Sequence, residues 1–361
     1  MKIGILTFHS AYNFGAVLQC HGLYETLRSL GHDVSVIDYR PSYLFFPRPR
    51  LGIGSFVLRP LKTLRALPFV FSYSRYYDRF ETFVNKYWAL SETITNCEIL
   101  GKQVNEYDCI VVGSDQVWNK VHNGNDNVWY GIDRAKKSVR WITYAASAGD
   151  SVFDSDEVRR FEKSFNLFDY ISVREEKLKN ILSALKGSPS IVTVLDPTLL
   201  ADEIVWCKWY KPIIKGKYIV IYQARPDDNV FRIANSLADE LGVKKIIVLD
   251  NHANVKTNGH KQYPASPSDF ISIIKNATCV VTTSFHGTAF SIITETPFYT
   301  LCLNDGADER SYNLLCQLNL TDRFISMSAS PRYREIDFVP VKESLRQLRT
   351  FSICYLKEAL R

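Results

Sequence analysis

The sequence predicts an α/β fold built as two parallel-sheet lobes, and three observations carry that prediction. The first forty residues alternate strand, helix and strand; a tryptophan-bearing crossing over 202–216 breaks the pattern; and the alternation restarts at Lys217. Short apolar runs such as 277–281 end in polar turns, as parallel strands covered on both faces do. A chain of 361 residues, 46% hydrophobic and 23% charged, is long enough for two cores. In such sheets ligands gather at the carboxyl ends of the strands, so the turn after each strand holds the candidate residues.

Taken in order, residues 2–8 have strand composition and open the turn His9-Ser10-Ala11-Tyr12-Asn13-Phe14-Gly15. A helix follows with Val17, Leu23, Leu27 and Leu30 toward the core, ended by Gly31, and residues 34–38 give the second strand. Residues 40–90 interrupt the alternation with five prolines and a dense set of aromatics. Residues 107–112 form a buried strand, and Gly113-Ser114-Asp115-Gln116-Val117-Trp118-Asn119 stands at its carboxyl end. There Asp115 either accepts a proton from a hydroxyl or caps the following turn. Strands over 141–146 and 170–173 come next, the second ending in Arg174-Glu175-Glu176 ahead of a helix at 178–185. Arg174 is either a planar clamp for a carboxylate or phosphate or an ion-pair partner of its neighbouring glutamates. Residues 192–195 and then Asp196-Pro197-Thr198 close the first lobe, taken as 1–205 with an insertion at 40–90; the second is 206–361.

The second lobe has a strand at 217–222, with Arg225 just beyond it, a helix at 230–241 and a strand at 244–249. Its richest stretch is 267–298, which reads as helix, buried strand, polar turn and helix. The turn offers Thr282, Thr283, Ser284, His286 and Gly287, with Thr288 to Ile293 turning helical. An imidazole between a strand end and a helix N-terminus is placed for proton transfer, although a structural hydrogen-bonding role competes. The first helical turn can hold an anion. A strand at 298–303 and a helix start at 309–315 bearing Arg310 follow, and residues 340–360 form a helix with one apolar stripe, read as packing.

At these residues the chain resembles the polysaccharide pyruvyl transferases. NFGAVLQ at 13–19, GSDQVWN at 113–119, YAAS at 144–147, ISVREE at 171–176, DPTLL at 196–200 and the 267–298 stretch occur in the same order as the family's blocks. One position departs: many members carry an arginine two residues before the histidine, where this chain has Ser284. The resemblance implies two Rossmann-like lobes around a cleft in the GT-B manner, the C-terminal helix returning toward the first lobe. It also implies transfer of the enolpyruvyl unit of phosphoenolpyruvate onto sugar hydroxyls, as a co-substrate reaction without cofactor or metal, in bacterial surface polysaccharide biosynthesis such as capsule or exopolysaccharide. In that reading His286 and Asp115 are catalytic. Arg174 of the first lobe and Ser284, Gly287, Thr288 and Arg310 of the second bind the donor, and Asn13, Gly15 and Gln116 face a saccharide acceptor, free or lipid-linked. Two rivals accompany it. One is a nucleotide-sugar glycosyltransferase with His286 on a diphosphate and Glu295 on a ribose; the other is a saccharide-binding relative without activity.

Composition removes other classes. The missing GxGxxG after the first strand speaks against a dinucleotide oxidoreductase. Eight cysteines without a CxxC pair indicate neither a zinc site nor a disulfide framework. The net charge is +6, and residues 40–77 alone hold seven basic and no acidic residues, which leaves about −1 elsewhere. That tract reads as a helical cover on the first sheet, a pocket for an anionic sugar, or a peripheral contact with the inner membrane. No nucleic-acid-reading motif accompanies it. With no long apolar stretch and no signal-like start, a cytoplasmic protein is expected.

Overall fold

The structure is a computed structural model that describes residues 1–44, 60–132, 138–149, 152–250, 257–306 and 308–361, with the side chains of the 60–87 helix from residue 74 onward. It divides into two compact units, the first comprising Met1–Phe45, Tyr87–Val205 and Val339–Arg361, the second Phe46–Lys86 and Trp206–Phe338.

The first unit is built on a parallel sheet in the order β2-β1-β3-β4, with β1 Lys2–Leu6, β2 Asp33–Val36, β3 Cys109–Val112 and β4 Arg140–Thr143. The register sets Ile3 beside both Val34 and Cys109. The strand β3 is CIVV and buried throughout, as a central parallel strand must be. A parallel pair, β5 Ile171–Val173 and β6 Ile191–Thr193, lies next to β4 through bridges from Ile142 to Tyr170 and Ala146 to Val173. Helix α1, Phe14–Ser29, packs on the short helix Pro197–Leu200 so closely that a Cβ on Gly22 would stand 2.3 Å from the Pro197 carbonyl oxygen. Asp196 opens that short helix by accepting the Thr198 N–H at 2.9 Å. The DPTLL block is therefore first of all a packing element.

Residues 338–359 form the last helix and belong almost wholly to the first unit. Leu356 and Ala359 are buried, Ser352 Oγ accepts the Leu195 N–H at 3.0 Å, and Tyr355 donates to the Thr143 carbonyl at 2.9 Å. The helix therefore belongs to the first unit, although in sequence it closes the 206–361 span of the second lobe.

Among the described residues the second unit has six parallel strands in the order β12-β11-β10-β7-β8-β9. They are β7 Ile219–Tyr222, β8 Ile246–Leu249, β9 Lys261–Tyr263, β10 Cys279–Thr282, β11 Phe298–Cys302 and β12 Phe324–Ser326. The helix Pro267–Lys275 begins with Ser266 and Asp269 in a reciprocal capping box and Pro267 in the first turn. Gly242, at φ 63°, ends the helix Asn229–Leu241 where an L side chain would be strained.

The helix Pro60–Tyr87 corrects one expectation. Up to Lys86 it groups with the second unit, not with the first lobe in which the 40–90 insertion was expected: Phe83 lies 5.4 Å from Trp209, and Arg79 donates to the Pro264 carbonyl. Tyr76, Tyr77 and Phe80 are buried, so their rings are packing groups rather than interface anchors. Arg40 is likewise used internally, 2.6 Å from Asp38. Arg75 is exposed, and the other five basic residues of the tract lie outside the described side chains. Among the described residues no helix is long and apolar enough to cross a membrane.

Candidate functional site

In the second unit the site is built where β10 gives way to helix α10, Phe285–Ile293. The helix starts earlier than the sequence pattern suggests: Ser284 is extended at φ −107°, and His286 and Gly287 already lie in the first helical turn. His286 is half-buried, its ring 5.1 Å from the Phe285 ring in an edge contact. The guanidinium of Arg310, on helix Asp308–Gln317, stands over the same Phe285 ring at 5.9 Å. Phe285 thus has an imidazole on one side and a cation in stacking range, at the carboxyl end of the central strand.

Three of the expected donor-binding groups turn out to be packing groups. A Cβ on Gly287 would fall 2.2 Å from Thr282 Oγ1 and 3.0 Å from the Tyr222 ring. The glycine is there because the helix presses on its own strand. Thr288 is fully buried, its hydroxyl 2.7 Å from that of Thr300 and 3.1 Å from the Ser284 carbonyl that it donates to. Ser284 is also buried; its N–H donates to Thr282 Oγ1 at 3.0 Å and its side chain hydrogen bonds with Tyr222. Burial holds the Tyr222 phenol above its ordinary value against that bond.

Arg225 enters the site from the carboxyl end of β7. Its Nη2 donates to the Thr283 carbonyl at 3.1 Å and to Asp308 Oδ1 at 2.8 Å, and its Nη1 pairs with Asp305. Asp305 and Asp308 had no place in the sequence reading. The signal available was an Asp two positions ahead of Arg310. Glu295 goes the other way. It follows the C-terminal end of α10 at φ 54°, ahead of β11, and so lies at the end of the sheet opposite His286, which removes the ribose role considered for it.

In the first unit, the loops after β3, β4, β5 and β6 meet around Arg174. Its Nη1 donates to Asp196 Oδ2 at 2.8 Å, its Nε is 3.4 Å from Glu175 Oε1, and both the arginine and Asp196 side chains are at most 4% exposed. Burial disfavours the guanidinium charge, but Glu175, Asp196 and Asp115 outweigh it and hold its pKa above the ordinary value. Arg174 is therefore a buried counter-ion and not an open clamp for a donor; of the two readings left by the sequence, the ion pair is the one observed. Ser147 donates to Glu175, which links the YAAS and ISVREE blocks.

Asp115 and Gln116 are partly exposed beside this knot. Asp115 Oδ1 accepts the Gln116 N–H at 2.8 Å, and Gln116 Oε1 accepts from Asn119 at 2.7 Å. Gly113 precedes them at φ 116°, with the Tyr144 carbonyl 2.5 Å from where a Cβ would be, so no other residue fits that turn. Asn13 is exposed, but its side-chain oxygen is the N-cap of α1, accepting from Ala16 N at 2.7 Å. Gly15 is buried within α1 and cannot face an acceptor. Next to this loop His9 is sealed against Asp38, Nε2 to Oδ1 2.7 Å. Among the described residues no group of three or more His, Cys, Asp or Glu is arranged to hold a metal ion.

Known structures share this fold at low identity. The UDP-GlcNAc 2-epimerase from Neisseria meningitidis bound to UDP-GlcNAc superposes with a TM-score of 0.52 at 13% identity, covering 99% of this chain and 94% of its own. The UDP-GlcNAc 2-epimerase of Methanocaldococcus jannaschii, in complex with UDP-GlcNAc and UDP, gives 0.48 at 14%, over 97% and 93%. The spinosyn rhamnosyltransferase SpnG gives 0.42 at 12%, over 99% and 95%. The fold is thus α/β of the two-lobed GT-B kind. No curated protein matches the chain in sequence. The sequence profile of the polysaccharide pyruvyl transferases matches residues 13–302, and the chain belongs to that family of transferases.

Proposed function

We propose that the protein transfers the enolpyruvyl unit of phosphoenolpyruvate to a saccharide and closes a pyruvate ketal on two of its hydroxyls. The observation that carries this reading is the pairing, in a chain of this family, of His286 in the first turn of α10 with Arg310 above Phe285. Phosphoenolpyruvate brings a carboxylate and a phosphate, and the second unit offers a guanidinium and a helix N-terminus at the same strand end.

The chemistry needs one proton moved to carbon. Protonation of the methylene leaves a cationic centre at C2; a sugar hydroxyl adds there, the C–O bond to phosphate breaks, and a second hydroxyl completes the ketal. Of the two hydroxyl protons released, one replaces that given to the methylene and the other leaves on phosphate. His286 is assigned the proton to carbon and Arg310 the donor anion. The acceptor belongs to surface polysaccharide synthesis. Acceptor-dependent release of phosphate from phosphoenolpyruvate, lost in His286→Ala with the fold intact, is the expected result. Turnover with a nucleotide sugar instead, or saccharide binding with no turnover on any donor, would refute it.

A further inference from the structure

Arg225 is the group that ties the two donor-side residues together, and it does so through contacts to their chain neighbours. Its backbone and the Thr283 hydroxyl are joined reciprocally: the Arg225 N–H donates to Thr283 Oγ1 at 3.3 Å, and the Thr283 hydroxyl donates to the Arg225 carbonyl at 2.8 Å. The guanidinium then spans outward, one nitrogen reaching both the Thr283 carbonyl and Asp308, the other reaching Asp305. Thr283 is three residues before His286 and Asp308 is two before Arg310. Asp308 is itself fixed, with its Oδ2 accepting the Leu303 N–H at 2.7 Å at the end of β11.

Three strand ends are locked by this one side chain. The Arg225 side chain is 25% exposed and Asp305 44%, so that pair contributes little to stability; Asp308, at 10%, is the partner with a firm position. A planar fork that donates to a carbonyl and a carboxylate at once sets a distance between them, which a point charge does not.

Building on the donor reading above, we propose that Arg225 is a positioning residue that sets the spacing between His286 and Arg310 and thereby the affinity for the donor. Two readouts test it on the intact chain. In calorimetric titration with phosphoenolpyruvate, Arg225→Met weakens binding by roughly tenfold or more, as expected for losing charged hydrogen bonds, with Arg225→Lys recovering only part of the loss. In imidazole-region NMR, the His286 signals, identified by their disappearance in His286→Gln, shift in Arg225→Met. Should the Met variant not fold, the Lys variant carries both measurements. Binding within about twofold of the parent, or unmoved His286 signals, overturns the brace. A parent chain that does not bind phosphoenolpyruvate overturns the donor reading instead, and the NMR comparison then decides the brace alone.

Discussion

Gly287→Ala puts the helix-on-strand contact at the site to a quantitative test. The new methyl group would lie 2.2 Å from Thr282 Oγ1, 2.9 Å from Thr282 Cβ and 3.0 Å from the Tyr222 ring. Thr282 cannot swing aside freely, because its hydroxyl donates to the Tyr222 carbonyl at 2.6 Å and accepts the Ser284 N–H at 3.0 Å. Overpacking a rigid buried site costs about 1–3 kcal/mol, and giving up those two bonds about 1 kcal/mol each. Replacing a helical glycine recovers at most about 1 kcal/mol. The balance is a destabilisation of about 2–4 kcal/mol in the second unit. Hydrogen exchange across residues 279–293 in a urea series reads that unit directly. Thr282→Ala removes the obstructing hydroxyl, so the double variant should be less destabilised than the sum of the two singles by about 1 kcal/mol or more. A Gly287→Ala protein within about 0.5 kcal/mol of the parent would refute the contact and return this glycine to a ligand-facing role.

Two further outcomes concern the first unit. Arg174→Met removes the guanidinium from the buried Asp196 carboxylate, and should cost the first unit about 3–5 kcal/mol in urea unfolding; a loss of donor affinity at unchanged stability would restore the clamp reading. The carboxyl of Asp38 is pushed up by burial, but hydrogen bonds and charge from His9, with bonds from Thr93 and Arg40, outweigh this and hold it well below the usual carboxylate range. Its contribution is therefore fully present above the ordinary carboxylate pKa, about 3.9, and is lost as pH falls below that toward the depressed folded value. Asp38→Asn should flatten the acid limb of the stability curve below about pH 4 while also lowering stability at neutral pH; an unchanged acid limb would show that the network does not carry the effect.

The sheets were legible because each buried strand is a short apolar run bounded by polar turns, and residues 219–222 and 279–282 stand where the pattern puts them. The helix start at Phe285 was missed because Gly287 and a run of hydroxyls read as a turn, whereas the close approach to Thr282 is what calls for the glycine. Local pattern could place Arg174 at a strand end but could not reveal Asp196, 22 residues later, as its partner. Family motifs hide the same distinction. In GSDQ the glycine serves backbone geometry while Asp115 stays accessible, and in ISVREE and DPTLL the charged residues are spent on each other. The Arg225–Asp308 contact joins residues 83 positions apart and leaves no periodic trace.

The docking of residues 339–361 on the first unit imposes an order on biosynthesis. Arg349 donates to the Leu199 carbonyl at 3.1 Å and Arg140 to that of Ala359 at 3.1 Å, so the unit that emerges first from the ribosome waits for the segment made more than a hundred residues after its last strand. During translation the second sheet has all of its strands in hand while the first still exposes the surface that Leu356 and Ala359 will cover. Truncating at 338 should accordingly injure the half of the molecule farthest from the cut in sequence.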